Sequence, residues 1–320
     1  MNYNLLIDNL INPALLFFVL GIVAVYLKSD LEIPANSSKF ISLYLLFAIG
    51  FKGGQELSHE EFTIEIGWSM LFGVAISSII PLYTFFILKR KLNVFDAGAI
   101  AAAYGSVSAV TFVTAVSYLE SQQLSLHGHM VAIMALMESP AIIIGLILIS
   151  IFNKDEFNKI NKRTVIKHSF TNGSVLLIVG CLIIGYLANA KQAEGIKPFT
   201  NDLFKGFLAI FLLDIGITSG RKLKAFFSFG WFPILFALFI PLFNGCIIAM
   251  LSSFVTQDIT NRFMFAILAA SASYIAVPAA MQISVPKANP GLFLPMALAV
   301  TFPINITIGM PIYFLVVQNS

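Results

Sequence analysis

A chain of 320 residues in which 58% are hydrophobic and only 11% charged departs from the roughly 25% charged residues of a soluble domain. Its 31 phenylalanines and mean hydropathy of +0.89 give more apolar surface than one soluble core of this size can hide. The net charge of +3 does not point to nucleic acid, because the basic residues fall between apolar runs.

The opening MNYNLLIDNL lacks the basic stretch and small-residue cleavage site of a signal peptide, so the first apolar run is expected to remain as a helix. A bilayer core takes about 20 apolar residues of helix, fewer where the helix is broken or sheltered. Ten runs qualify: 12–27, 39–51, 64–88, 95–118, 130–152, 174–190, 203–218, 226–255, 262–285 and 291–317. Cys181 and Cys246 lie within such runs without metal-ligand spacing and are read as packing residues.

Basic residues near span ends mark the cytoplasmic side, and here they segregate. Lys28, Lys39, Lys89, Arg90, Lys91, Lys154, Lys159, Lys162, Arg163, Lys167, Arg221, Lys222, Lys224 and Lys287, 14 of the 19, fall on one side. Lys52, Lys191, Lys197, Lys205 and Arg262 fall on the other. Both termini are therefore expected outside, with 153–171 as a basic cytoplasmic linker.

The chain also matches itself. LLFAIGFKGGQEL from Leu45 aligns with FLLDIGITSGRKL from Phe211 at an offset of 166, and AAAYGSVSAV from Ala101 lies opposite AASASYIAV from Ala269. Pro140 and Pro303 hold similar places in the fifth and tenth spans. Composition alone explains matched leucines but not paired glycines at one depth. Five spans per half force the second copy to enter the membrane inverted, which predicts an all-α protein of two inverted five-helix repeats, 1–160 and 161–320, with a site near the midplane.

The fourth and ninth spans read YGSVSAVTFVT from Tyr104 and ASASYIAVPAA from Ala270. Gly, Ser and Pro278 allow unwound backbone, tolerated at membrane depth only where it lines a cavity or is buried in protein. Half-helix N-termini facing one point favour an anion, and the hydroxyls of Ser106, Ser108, Thr111, Ser271 and Ser273 can bind an oxyanion or Na+. Close helix packing by small residues is the competing account.

Glu138, in IMALMESPAIIIGLIL, is costly at membrane depth and therefore a functional candidate; beside carbonyls freed by Pro140 it suits Na+ or a proton. A purely structural carboxylate is the alternative. Asp214 is either a pathway acid or a partner of Arg221 or Lys222. Asn305, near the repeat equivalent of Glu138, is a better site candidate than Asn244. His127 and His129 are expected in a solvated outer connection.

GSVSAVTFVTAVSYLE from Gly105, MESPAI from Met137, SASYIAVPAAM from Ser271 and VPKANPGLFLP from Val285 together resemble the sodium-dependent bicarbonate transporter family first known from cyanobacteria. The resemblance runs over essentially the whole chain. It implies ten helices in a core domain (spans 3–5 and 8–10) and a gate domain (spans 1, 2, 6 and 7), with bicarbonate between the broken helices, Na+ alongside, and a homotrimer. By position, Gly105, Val107, Ser108 and Thr111 match the family's first broken helix, and Ser271, Ser273, Pro278, Asn289 and Pro290 the second. Glu138 stands where the cyanobacterial members carry aspartate, and Tyr274 replaces an aspartate of their second broken helix. The linker is short, which argues against a PII-like regulatory partner.

The resulting expectation is a multi-pass transporter of the inner or plasma membrane performing Na+-coupled bicarbonate uptake, with no organic cofactor. Gly105, Ser106, Val107, Ser108, Ser271, Ala272, Ser273 and Tyr274 form the candidate anion site, and Thr111, Glu138, Asn305 and Asp214 the candidate cation site. Rivals are a Na+- or proton-coupled carrier of another small carboxylate, and an intramembrane enzyme or sensor. No Ser-His or Asp-Asp pair at membrane depth supports the enzyme, and no stretch outside the spans is long enough for a sensor domain.

Overall fold

A computed structural model describes residues 13–153 and 173–320. The expected linker and the boundary between the two expected repeats lie outside the described residues, apart from Asn153. No strand occurs among the described residues.

The helices are α1 (Pro13–Tyr26), α2 (Ala35–His59), α3 (Ile64–Leu88), α4 (Val94–Gly105), α5 (Ala109–Ser121), α6 (Gly128–Phe152), α7 (Gly173–Leu187), α8 (Ala190–Lys197), α9 (Phe204–Phe226), α10 (Trp231–Leu251), α11 (Ile259–Ala270), α12 (Ala276–Ser284), α13 (Pro290–Pro295) and α14 (Met310–Asn319). Six stretches among the described residues are long and apolar enough to cross a membrane: Ile64–Leu88, Val94–Ser121, Gly128–Phe152, Ala190–Leu223, Trp231–Phe254 and Pro290–Asn319. Leu15–Tyr26, Val175–Leu187 and Ile259–Ala270 are apolar but shorter. Bulky residues such as Phe17, Leu20, Phe239 and Phe243 stay exposed, as expected where lipid replaces water as the solvent. Trp68 and Trp231, each near a helix start and exposed, suit the interfacial position that indole favours.

Several boundaries differ from the sequence expectation for identifiable reasons. The second run extends to His59 because Lys52, Gln55 and Glu56 hide its outer half from a hydropathy reading. The connection after 190 is helical, since Asn189 and Gln192 form a reciprocal capping box that starts α8, and a π-helical turn at Pro198–Asp202 leads into α9. The eighth span starts at Trp231, after Gly230 turns the chain at a φ of 86° that favours glycine. In the tenth, Pro295 and Pro303 cannot donate to the helical ladder, and π-helical turns occupy Met296–Thr301 and Asn305–Gly309.

Two helix pairs pack backbone to backbone: α2 on α7 and α1 on α9. A Cβ on Gly54 would collide with the carbonyl oxygen of Leu182, and one on Gly185 with that of Phe51. A Cβ on Gly216 would collide with the carbonyl oxygen of Phe18, and one on Gly21 with that of Leu213. Gly50 and Gly54 are the glycines that the self-match pairs with Gly216 and Gly220, so small residues at these depths are what lets the backbones touch. The remaining helices pack around α4, α6 and α11, with Pro81 of α3 against Gly105.

Candidate functional site

The fourth and ninth spans are interrupted at the expected places. Helix α4 ends at Ser106 and α11 at Ser271, both in extended conformation. Ser108 then caps α5 by accepting from the Thr111 N–H at 3.1 Å, and the Ser273 hydroxyl accepts from the Val277 N–H at 3.3 Å. The two breaks are tied together: the Ser108 N–H donates to the Ser271 hydroxyl at 3.0 Å, and the Ser273 N–H donates to the Ala103 carbonyl at 2.8 Å. Much of the hydroxyl chemistry that the sequence assigns to a ligand is therefore spent on backbone groups that the breaks leave unpaired.

Beside the crossing lies a cavity of about 30 Å³, on the scale of one or two water molecules. Val107, Ser108, Ser273, Tyr274 and Glu138 line it, with Leu46, Met134 and Ile178 among its apolar walls. Ala109 and Val110 also border it, presenting first-turn N–H groups of α5 that no intrahelical carbonyl can take. Glu138 is 8% exposed, and its carboxylate has no hydrogen bond or ion pair among the described residues. The Tyr274 hydroxyl is buried next to the Ser108 side chain without a hydrogen bond of acceptable geometry. Two unsatisfied polar groups on one small cavity are what a polar ligand would complete.

The other sequence candidates fall elsewhere. Gly105, Ser106, Ser271 and Ala272 lie behind the cavity wall, Ser106 donating a long bond of 3.5 Å to the Glu138 carbonyl. Thr111 sits one position beyond the wall, buried. Asn305 is committed to packing, donating to the Ala270 carbonyl at 2.7 Å and accepting from Tyr313 at 2.8 Å. Asp214 accepts from Ser38, whereas Arg221 pairs with Glu32 at 3.6 Å. Asp214 belongs to a separate cavity of about 480 Å³ with Ser38, Lys39, Ser42, Thr218 and Arg221.

That larger cavity shares Tyr274 and Ile275 with the central one. A third cavity, of about 230 Å³, is lined by Ala48, Ile49, Lys52, Val116, Glu120, Thr200, Asn201 and Lys205. It shares no residue with the central cavity. The three are strung along one face of α2: Ser38 to Leu43, then Leu46, then Ala48 to Lys52. At 1.5 Å per residue this is a path of about 20 Å. Helix α2 contributed nothing to the sequence candidates; the alternation of Ser38, Ser42 and Lys52 along a weakly apolar helix was the available signal.

A charged cluster, also unexpected, closes the end where α2, α6 and α11 meet. His129 is 5% exposed rather than solvated and pairs with Glu60 at 2.7 Å. Glu60 also accepts from the Gly128 N–H at 2.7 Å, and His127 bridges Glu60 at 3.6 Å and Asp258 at 3.5 Å. Burial alone would raise the Glu60 carboxyl, but the bonds from His127, His129 and Gly128 hold it well below its usual range. Asp258, then Glu60, push His127 from 6.5 up to about 10. The contribution of His127 is thus complete below pH 6.5 and is lost as pH rises through about 10, while that of Glu60 is present above 4.5 and lost as pH falls toward its lowered value. With His127 40% exposed at its side chain, screening limits the effect to about 1 kcal/mol or less. His127→Gln is expected to flatten the alkaline decline of the melting temperature in detergent; an unaltered pH profile would count against the bridge.

Apolar helices of spanning length, two interrupted apolar runs crossing beside a small cavity, and further cavities along α2 are the features of a membrane transporter. Residues 13–318 match the Na+-dependent bicarbonate transporter superfamily, and the chain belongs to it. This is a superfamily of transporters, not enzymes, with bicarbonate and Na+ as the substrates that its description implies. No curated protein matches the chain.

Proposed function

We propose that the protein is a Na+-coupled bicarbonate symporter that takes up its substrate by alternating access. The observation that carries this reading is the series of cavities along α2. The central cavity shares the wall formed by Tyr274 and Ile275 with the one beside Asp214 and Arg221, and shares no residue with the one beside Lys52. With the lysine-rich connections cytoplasmic, this is a carrier open toward the cell interior, with both termini outside. The anion lies against the first-turn N–H groups of α5, Ser108, Ser273 and Tyr274, and Na+ lies at Glu138.

Ten spans in two inverted repeats follow the same reading. The equivalent glycine seams of α2 on α7 and α1 on α9 support a gate of spans 1, 2, 6 and 7. The breaks held by Ser106 and Ser108 in one half and by Ser271 and Ser273 in the other support a core of spans 3–5 and 8–10. A homotrimer in the plasma or inner membrane, without organic cofactor or PII-like partner, completes the proposal.

The test is uptake of labelled bicarbonate into proteoliposomes with and without an inward Na+ gradient. Na+ is expected to stimulate the flux, and no stimulation would defeat the proposal. The unpartnered Glu138 carboxylate gives substance to one rival, a proton-coupled carboxylate carrier, which would respond to a pH gradient in its place.

A further inference from the structure

The cavity beside Lys52 lies outside the central site, and its charges form one arrangement. The Lys52 ammonium is 2.7 Å from one oxygen of the Glu120 carboxylate, and the Lys205 ammonium is 3.3 Å from the other. The three groups come from three helices, α2, α9 and α5. Thr200 and Asn201 add polar groups to the wall.

Two ammonium groups shared by one carboxylate leave an excess of one positive charge in a concave site. Such a site raises the local concentration of anions. Its clamped occupant is a planar O–C–O unit bearing one negative charge, with an ammonium at each oxygen. Bicarbonate and small carboxylates present the same unit.

We infer that this cavity is an anion-capture site in which the Glu120 carboxylate is a tethered stand-in for an incoming small planar oxyanion. An anion that takes over Lys52 and Lys205 releases Glu120. Helix α5, whose first turn borders the central cavity, is then no longer tied to α2 and α9 by these pairs. Arrival of substrate and loosening of the outer closure thereby become one event. The inference rests on the proposed orientation and transport reading. An ordinary ion pair holding three helices would leave the external half-saturation concentration unmoved when Lys52 or Lys205 is neutralised, and this is the point of discrimination.

The experiment uses the full chain purified in detergent, as wild type and as Glu120→Gln. Lysine acylation is followed residue by residue by mass spectrometry, with bicarbonate or formate as the probe anion and Lys191 and Lys197 as internal references. In E120Q, millimolar bicarbonate or formate is expected to slow modification of Lys52 and Lys205 severalfold relative to the references. In the wild type, Glu120 already covers both lysines and added anion changes little. Equal rates with and without anion in E120Q would overturn the inference. As a second readout, Lys52→Gln and Lys205→Gln in proteoliposomes are expected to raise the external half-saturation concentration about tenfold, with the maximal rate nearly unchanged; an unshifted half-saturation would also count against capture. Formate protection without Na+-stimulated uptake would leave the capture site standing and defeat the transport reading. Na+-stimulated uptake without protection would do the reverse.

Discussion

Gly54→Leu and Gly216→Leu are each expected to leave little folded protein in the membrane. Between helices in lipid there is no hydrophobic drive to compensate poor fit, so association depends on close contact of small residues. At Gly54 a side chain would run into the Leu182 carbonyl oxygen and the backbone of Gly185 and Tyr186; at Gly216 it would run into the Phe18 carbonyl and Gly21. Overpacking in a yielding core costs about 1–3 kcal/mol, and these obstacles are backbone atoms that cannot rotate away. A loss of several kcal/mol is a large fraction of the roughly 5–15 kcal/mol that holds a domain folded. Gly67 and Gly206 are the controls, since nothing lies within 4 Å of a Cβ built on either. Inserted yield and melting temperature in detergent should drop for G54L and G216L and stay near wild type for G67L and G206L. Equal behaviour of all four would disprove the close seams.

These glycines also mark what the sequence makes visible. At an offset of 166, Gly50 pairs with Gly216 and Gly54 with Gly220. The match is readable from the letters because Gly50, Gly54 and Gly216 each lie against neighbouring backbone, where only a small residue fits, while Gly220 lies against the Val25 side chain. The breaks at Ser106 and Ser271 are readable for a similar reason: small hydroxyl residues stand where every neighbouring span carries Leu or Phe. What the hydroxyls do is not readable. Ser108 and Ser271 look like ligand donors until the two breaks are seen to cross, and then one caps a helix while accepting nothing further from the partner break and the other accepts the partner's N–H.

Charged groups were the hardest to place, because their partners are remote in sequence. Asp214 was weighed against Arg221, one helix face away, yet it bonds Ser38, 176 residues distant. His129 reads as a loop residue in LSLHGHM, but Gly128 lets the start of α6 lie on the α2 backbone at Gly53 and Leu57, which brings Glu60 to it. Asn305 has the right depth and the wrong direction, turned by the π-helical stretch that contains it toward Tyr313 and the Ala270 carbonyl.

Glu138→Gln is expected to shift Na+ stimulation of uptake to far higher Na+ concentrations without weakening the fold. A buried carboxylate without a partner is destabilising, and a neutral amide of the same shape removes that cost, so in Na+-free buffer E138Q should melt at or above the wild-type temperature. A charge-assisted contact contributes about 1.5–3 kcal/mol, so its loss should weaken Na+ binding about ten- to a hundredfold. Saturating Na+ raises the stability of a protein that binds it, by about 2.7 kcal/mol at a hundred times the dissociation constant. At that Na+ concentration the ten- to hundredfold weaker E138Q should keep only about 0.4–1.4 kcal/mol of it, so the Na+-dependent rise in melting temperature should shrink to about half or less of the wild-type value. Tyr274→Phe separates the two ligands: removing the unpaired phenol should raise the half-saturation concentration of the anion and leave the Na+ shift in place. A purely structural Glu138 predicts the opposite pattern, in which E138Q changes the melting temperature equally with and without Na+ and retains Na+-stimulated flux.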